Sequence, residues 1–184
     1  MRQLLTLTAL LVFAAAVSAQ SESIAAGTSN DNFLILSTKR IATMEKELAD
    51  TGAKGFRVLY GAPTTQVDMA LFLKKGESPV DYKILATSRI STREKELNYA
   101  GREGFRLLPR TIIFKTGLVT SELVMVMQRD RSEKSAYAYD LVEAAKEVNL
   151  QKKIDDAGTR GFVPVTMITL GKHVVVTEKV AALQ

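Results

Sequence analysis

The chain has 184 residues, 46% of them hydrophobic, 24% charged and 7% aromatic, with one His, no Cys and no Trp. That length allows one or two ordinary domains, or several very small ones, with enough apolar material for a core. Without Cys, disulfides, thiol nucleophiles and Cys-ligated metals are excluded, and a single His cannot supply a multi-histidine metal site or the common base-assisted nucleophiles. The formal charge of +5 is a mild bias, because acids and bases alternate closely along the chain.

Residues 1–19 read as a signal peptide: Arg2, then a thirteen-residue apolar run from Leu4 to Ala16 broken by two threonines, then Val17-Ser18-Ala19 before Gln20. A spanning anchor needs about 20 apolar residues, so the run suits export better than membrane anchoring. No Cys follows the cut to carry a lipid. Cleavage after Ala19 leaves 184 − 19 = 165 residues and, with Arg2 gone, a charge of +4. Residues 20–31 are small and polar and read as a flexible leader.

A repeat governs the rest. Phe33 to Leu59 aligns without gaps on Tyr82 to Leu108 at a shift of 49, with 15 identities in 27 columns. A diverged third copy lies 57 residues further on: Tyr139 falls under Tyr82, Lys152 under Lys95, Ala157-Gly158 under Ala100-Gly101 and Gly161-Phe162 under Gly104-Phe105. The units are 32–75, 80–130 and 136–180, separated by the turn-like Lys75 to Pro79 and the polar Arg129 to Ser135.

Each unit reads as strand, helix, strand, strand. The first strand is Phe33 to Ser37, Tyr82 to Ala86 or Ala138 to Val142. Thr43, Ser91 or Thr92, and Asn149 offer capping oxygens for a short helix, with Ser91 and Glu94 at capping-box spacing and Glu45 near the positive helix end. Met44, Leu48 and Thr51, like Leu150, Ile154 and Ala157, recur at helical spacing and define a buried stripe. Gly52, Gly101 and Gly158 are then expected to stop the helices in a left-handed conformation, with Gly55, Gly104 and Gly161 turning the chain. Phe56, Phe105 and Phe162 should begin the next strand with their rings on the helix. The hairpins pair Phe56 to Ala62 with Val67 to Leu73, Phe105 to Phe114 with Leu118 to Met127, and Phe162 to Leu170 with His173 to Lys179. The unbroken apolar run Leu123 to Met127 implies a strand covered on both faces. Units of about 45 residues without cysteine staples are near the lower limit for independent folding, so the three should share cores or sheets.

Tyr82-Lys83-Ile84-Leu85, Glu96-Leu97-Asn98 and Gly101-Arg102-Glu103-Gly104-Phe105 together resemble a widespread bacterial family of very small domains of unknown function. Its pattern is an aromatic-x-Lys strand, a helix ending in Leu-Asn and a Gly-x-x-Gly-Trp-Glu-Leu turn into a hairpin. Phe replaces the family's Trp in all three units, and Arg57, Arg106 and Val163 replace the acid that follows it. The resemblance implies a β-α-β-β fold and supplies no catalytic residues.

No catalytic, metal or cofactor site is assigned. The Gly-x-x-Gly loops precede strands, which suits neither the helix-to-helix clamp of KH domains nor a phosphate cradle opening a helix, so no nucleic-acid partner is expected. His173 reads as an exposed turn residue, Asp155-Asp156 as a solvated helix end, and Glu45-Lys46-Glu47 with Glu94-Lys95-Glu96 as outer helix faces. Arg40 with Arg89, and Arg57 with Arg106, are the polar repeats that could bind an anion, or could pair with a Glu of their own helices as structural clasps. The expected protein is thus an α+β chain of three tandem β-α-β-β repeats with mainly antiparallel sheet and one short helix each. Its expected role is an exported, non-enzymatic binding or scaffolding module for a protein or small-molecule ligand, periplasmic or secreted, with no membrane span after cleavage. The alternative is an enzyme or small-anion-binding protein with a site between repeats that uses Arg40 and Arg89.

Overall fold

The computed structural model describes residues 32–65, 69–87, 89–116, 121–169 and 172–181. The signal segment, the leader, Val67 and the turn residues Gly117 and Gly171 lie outside them. The first unit comprises β1 (Phe33–Thr38), α1 (Ile41–Ala53), β2 (Phe56–Ala62) and β3 (Met69–Lys75). The second comprises β4 (Val80–Thr87), α2 (Ile90–Arg102), β5 (Arg106–Leu107), a 3-10 turn (Pro109–Thr111), β6 (Ile113–Thr116) and β7 (Ser121–Asp130). The third comprises β8 (Ala136–Ala144), α3 (Glu147–Thr159), β9 (Val163–Thr169) and β10 (His173–Ala181).

Each unit forms its own antiparallel sheet with the last strand in the middle: β1-β3-β2, β4-β7-β5 with β6 also on β7, and β8-β10-β9. One register is used three times, Ile35 opposite Phe72, Ile84 opposite Val126 and Leu141 opposite Val176. Period-two side-chain alternation then fixes which residues share a face.

The units are joined by their cores. Leu36, Leu71 and Leu73 of the first sheet, with Met44 and Leu48 of α1, pack against Ile84, Val124 and Val126 of the second sheet. The opposite face of that sheet, with Leu97 and Ala100 of α2, packs against Tyr137, Tyr139, Leu141 and Val176 of the third. A smaller core under α3 holds Val142, Leu150, Ala157 and Val175. Hence Leu123 to Met127 is buried residue by residue, because α1 lies on one side of β7 and α2 on the other.

Three local expectations are corrected. The capping oxygens are not used: each first strand leads almost directly into its helix, so the residue before the first turn is Arg40, Arg89 or Lys146, extended and without a side-chain cap. Its carbonyl accepts the first helical bond, from Met44, Arg93 and Leu150 at 3.0–3.1 Å. Thr43, Ser91, Thr92 and Asn149 lie inside the first turn, and no capping box forms. The hairpin of the second unit is not continuous either. After β5, Pro109 cannot donate to the ladder and the chain makes a 3-10 turn before pairing resumes at Ile113.

The third correction concerns the glycines. The helices run through Gly52, Gly101 and Gly158, and it is Gly55, Gly104 and Gly161 that take the left-handed conformation, with φ of 85°, 86° and 83°. The earlier glycines serve a close approach. A Cβ on Gly52 would lie 2.6 Å from the Val80 carbonyl oxygen, and one on Gly101 would be nearer still to the Tyr137 carbonyl oxygen. The helix of each unit therefore touches the backbone of the next unit's first strand. Gly158, in the third unit, would meet nothing within 4 Å among the described residues.

Gly101→Ala should lower stability in urea denaturation, by about 1–3 kcal/mol, because strand and helix must separate. Gly158→Ala, at dilute concentration, should raise stability by roughly 0.5–1 kcal/mol through helix propensity alone.

Candidate functional site

The polar residues retained between units are used where one unit meets the next. Tyr82, on β4, reaches back into the irregular step of β2 between Val58 and Tyr60. Its hydroxyl accepts from the Val58 N–H at 2.8 Å and donates to the Phe56 carbonyl at 2.9 Å. Burial pushes its pKa up to about 12, partly offset by the Val58 hydrogen bond. Tyr139, the same position one unit on, accepts from Leu107 N–H at 2.8 Å and donates to Glu178 Oε2 at 3.1 Å, and burial raises its pKa further. Asn98 of α2 completes this second seam by bonding both the carbonyl (2.8 Å) and the N–H (2.9 Å) of Tyr139.

Arg57 and Arg106 are inter-unit ties. Arg57 Nη2 donates to Asp130 Oδ2 at 2.5 Å and to Ser78 Oγ at 2.9 Å. Arg106 Nε donates to Glu178 Oε1 at 2.9 Å, and Glu178 is almost wholly buried. Neither Arg pairs with an acid of its own helix, as the clasp reading had it. The partners lie on the last strand of the following unit, and the third unit carries Val163 at this position. Arg40 and Arg89 are both exposed, each at the start of its own helix, and no described contact joins them.

The repeated phenylalanines face inward as expected. Phe105 is buried, while Phe56 and Phe162 are half-buried against their helix cores. Each is covered by a cation from the strand opposite: Lys75 over Phe56 at 5.0 Å, Arg129 over Phe105 at 4.7 Å and Lys179 over Phe162 at 5.8 Å. His173 opens β10 opposite Ala144 and is half-buried, not an exposed turn residue.

A depression of about 740 Å³ runs along β4 between the two flanking helices. Lys83, Ile84, Leu85 and Ala86 form its floor, Ile41 and Glu45 of α1 one wall, and Thr92, Lys95, Glu96, Tyr99 and Arg102 of α2 the other. β4 pairs only with β7 among the described strands, so the groove follows an open strand edge. Such an edge carries alternating free N–H and C=O groups. Lys83 is held in place: it bonds Glu103, and its ammonium lies 5.2 Å from the Tyr99 ring centre and 4.9 Å from that of Phe105. Arg40 and Arg89 do not line the groove. The repeat pattern carries no mark of it, because which strand stands at a sheet edge depends on pairing, not on local residue pattern.

One buried group stands out. Arg93 occupies the core position held by Met44 and Leu150 in the other units and is 1% exposed. Its Nη2 donates to the Thr87 carbonyl at 3.3 Å, while Nε and Nη1 have no partner among the described residues. Burial lowers its pKa. Among the described residues no three His, Cys, Asp or Glu side chains gather as a metal site, and no helix is long and apolar enough to cross a membrane.

Comparison with protein-family models, curated proteins and solved structures gives no significant match to this chain.

The Arg57 hydrogen bond, with those from Ser132, draws the Asp130 carboxyl down to about 2 from the ordinary 3.8. A depressed acid contributes stability above its unfolded pKa and loses it as pH falls through the folded one. Urea midpoints should therefore decline between about pH 4 and pH 2, and Asp130→Asn should flatten that decline while lowering stability at neutral pH. Arg93→Met, which restores the first unit's residue, should stabilise the fold by about 1–3 kcal/mol in the same assay, because a buried guanidinium with unmet donors is removed.

Proposed function

We propose that the chain is an exported binding or scaffolding protein, not an enzyme, and that it takes an extended segment of a partner protein along the open edge of β4. The observation that carries this reading is the groove itself, an unpaired strand edge between two helices. Its 740 Å³ lies within the usual range for ligand sites of about 300–1,000 Å³. Four β4 residues, Lys83 to Ala86, line the groove, an edge of roughly 14 Å at about 3.4 Å per residue. Main-chain hydrogen bonds to such an edge give affinity for an extended peptide largely independent of its sequence, and the walls select side chains. Ile41, Ile84, Ala86 and Tyr99 favour apolar side chains, with Glu45, Lys95, Glu96 and Arg102 at the mouth offering both signs of charge.

Two further features support binding over catalysis. The retained Tyr82, Tyr139, Arg57 and Arg106 are engaged in ties between units, which leaves their chemistry occupied by structure. The helices flanking β4 also limit access to a single narrow segment, which guards the edge from open-ended sheet pairing. Export rests on the charged start, short apolar core and small-residue cut of residues 1–19.

The test uses protein purified from its native envelope fraction, with co-purifying proteins identified by mass spectrometry. A stoichiometric companion is expected whose binding slows amide hydrogen exchange across residues 82–86. Thr92→Trp, which fills the groove from an exposed position, should lower its affinity at least about tenfold. A companion that leaves β4 exchange unchanged and binds the variant equally well would place the partner elsewhere.

A further inference from the structure

The chain contains the same junction twice: a helix glycine receives the backbone of the next unit's first strand, Gly52 under Val80 and Gly101 under Tyr137. The glycine side recurs on α3, and the strand side recurs on β1 from Phe33, the equivalent of Tyr82 and Tyr139, neither with a counterpart among the described residues. At the C-terminal end, α3 presents Gly158, which is exposed with nothing within 4 Å of where a Cβ would stand. A glycine inside a helix costs about 1 kcal/mol relative to alanine, and nothing in the described structure requires this one. The outer face of the first sheet is uncovered among the described residues. Phe33 is 60% exposed and Ile35 42%, although they occupy the positions of Tyr82 and Ile84, which lie against α1 in the next unit. Across the rung, Ile35, Phe72 and Tyr60 extend this apolar strip, with the Phe72 and Tyr60 rings stacked at 4.5 Å.

The two ends differ from the internal seams in ways that match each other. Internally, a tyrosine hydroxyl accepts from the N–H of Val58 or Leu107. The free strand has Phe33, with no hydroxyl, and the position equivalent to Val58 and Leu107 in the third unit is Pro164, with no N–H. Internally, Arg106 pairs with Glu178. The last unit has Val163 where that Arg stood, and the first sheet has Lys74 at the register position of Glu178. Arg against Lys would repel, and Val against Lys does not. Docking these ends together strands neither a tyrosine hydroxyl nor an arginine guanidinium.

From this we propose that the chain associates head to tail with a second copy of itself, the β1 face of one molecule seating on the α3 face of the next. The contact is heterologous, so it adds molecules in sequence and does not close at a dimer. It is independent of the β4 groove.

Sedimentation velocity over a concentration series tests it. The wild-type weight-average mass should climb past the dimer without a plateau. Gly158→Trp, which blocks the tail where no neighbour constrains it, and Ile35→Asp, which charges the head, should each be monomeric, with thermal melts confirming the fold. Phe33→Arg serves as the head variant if Ile35→Asp unfolds. Mixing the tail-blocked and head-blocked proteins should restore a single one-to-one complex, because one sound head and one sound tail remain. A wild-type monomer at the highest concentration, association unaffected by Gly158→Trp, or a mixture that stays monomeric would each overturn the proposal; the last two would point instead to a face-to-face dimer or to no such contact.

Discussion

Everything in this fold depends on how closely a helix can approach the strand of the following unit. With glycine at positions 52 and 101, the strand carbonyl lies where any side chain would collide. That approach brings the tyrosine of the following strand far enough across to bond the irregular backbone of the preceding hairpin. The hydroxyl meets polar backbone that the sheet ladder leaves unsatisfied, so the seam is apolar at its centre without stranding a buried N–H. A helix glycine is costly in isolation. Here the loss is offset by a junction that buries two sheets against each other.

The arrangement also explains how such small units persist without cysteines. Each sheet has a helix over only part of its inner face, and the next unit's sheet covers the remainder, as Ile84, Val124 and Val126 cover the first hairpin. Stability then resides largely in nearest-neighbour terms, as in other repeat architectures. The middle unit has a neighbour on both faces, and its strand segment Leu123 to Met127 is buried throughout. The ion pairs follow the same logic. Arg57 and Arg106 bond acids 73 and 72 residues away and so couple one unit to the next, not a helix to itself.

The repeat alone disclosed the order of elements, the antiparallel hairpins and the inward phenylalanines, because side-chain periodicity and glycine spacing are local signals. What it could not disclose was relational. Two glycines three residues apart look interchangeable in sequence, yet Gly55 is needed for its backbone angle and Gly52 for the space above it. The distinction exists only once a second unit is in place. Helix starts were misjudged for a related reason: Thr43 and Ser91 are good capping residues, but the preceding strand delivers the chain into the helix before they are reached. The groove along β4 was beyond sequence reasoning altogether, since being at an edge is a property of pairing. Arg40 and Arg89 attracted attention through their repetition, and that repetition reflects a shared place before each helix, not a shared site.

The eroded third copy is informative for what it kept as well as what it lost. It retains the residues that fold a unit: Leu150, Ala157, Gly161, Phe162 and a cation over the ring. It has lost the residues that bind a successor within the chain, with Val163 in place of the arginine and Pro164 in place of a hydrogen-bond donor. Gly158 breaks that pattern. It belongs to the successor-facing side, has no packing reason within its own unit, and carries the helix penalty all the same. The two other helix glycines both mark where a strand backbone must pass, and Gly158 offers the same clearance on α3 with nothing among the described residues to fill it.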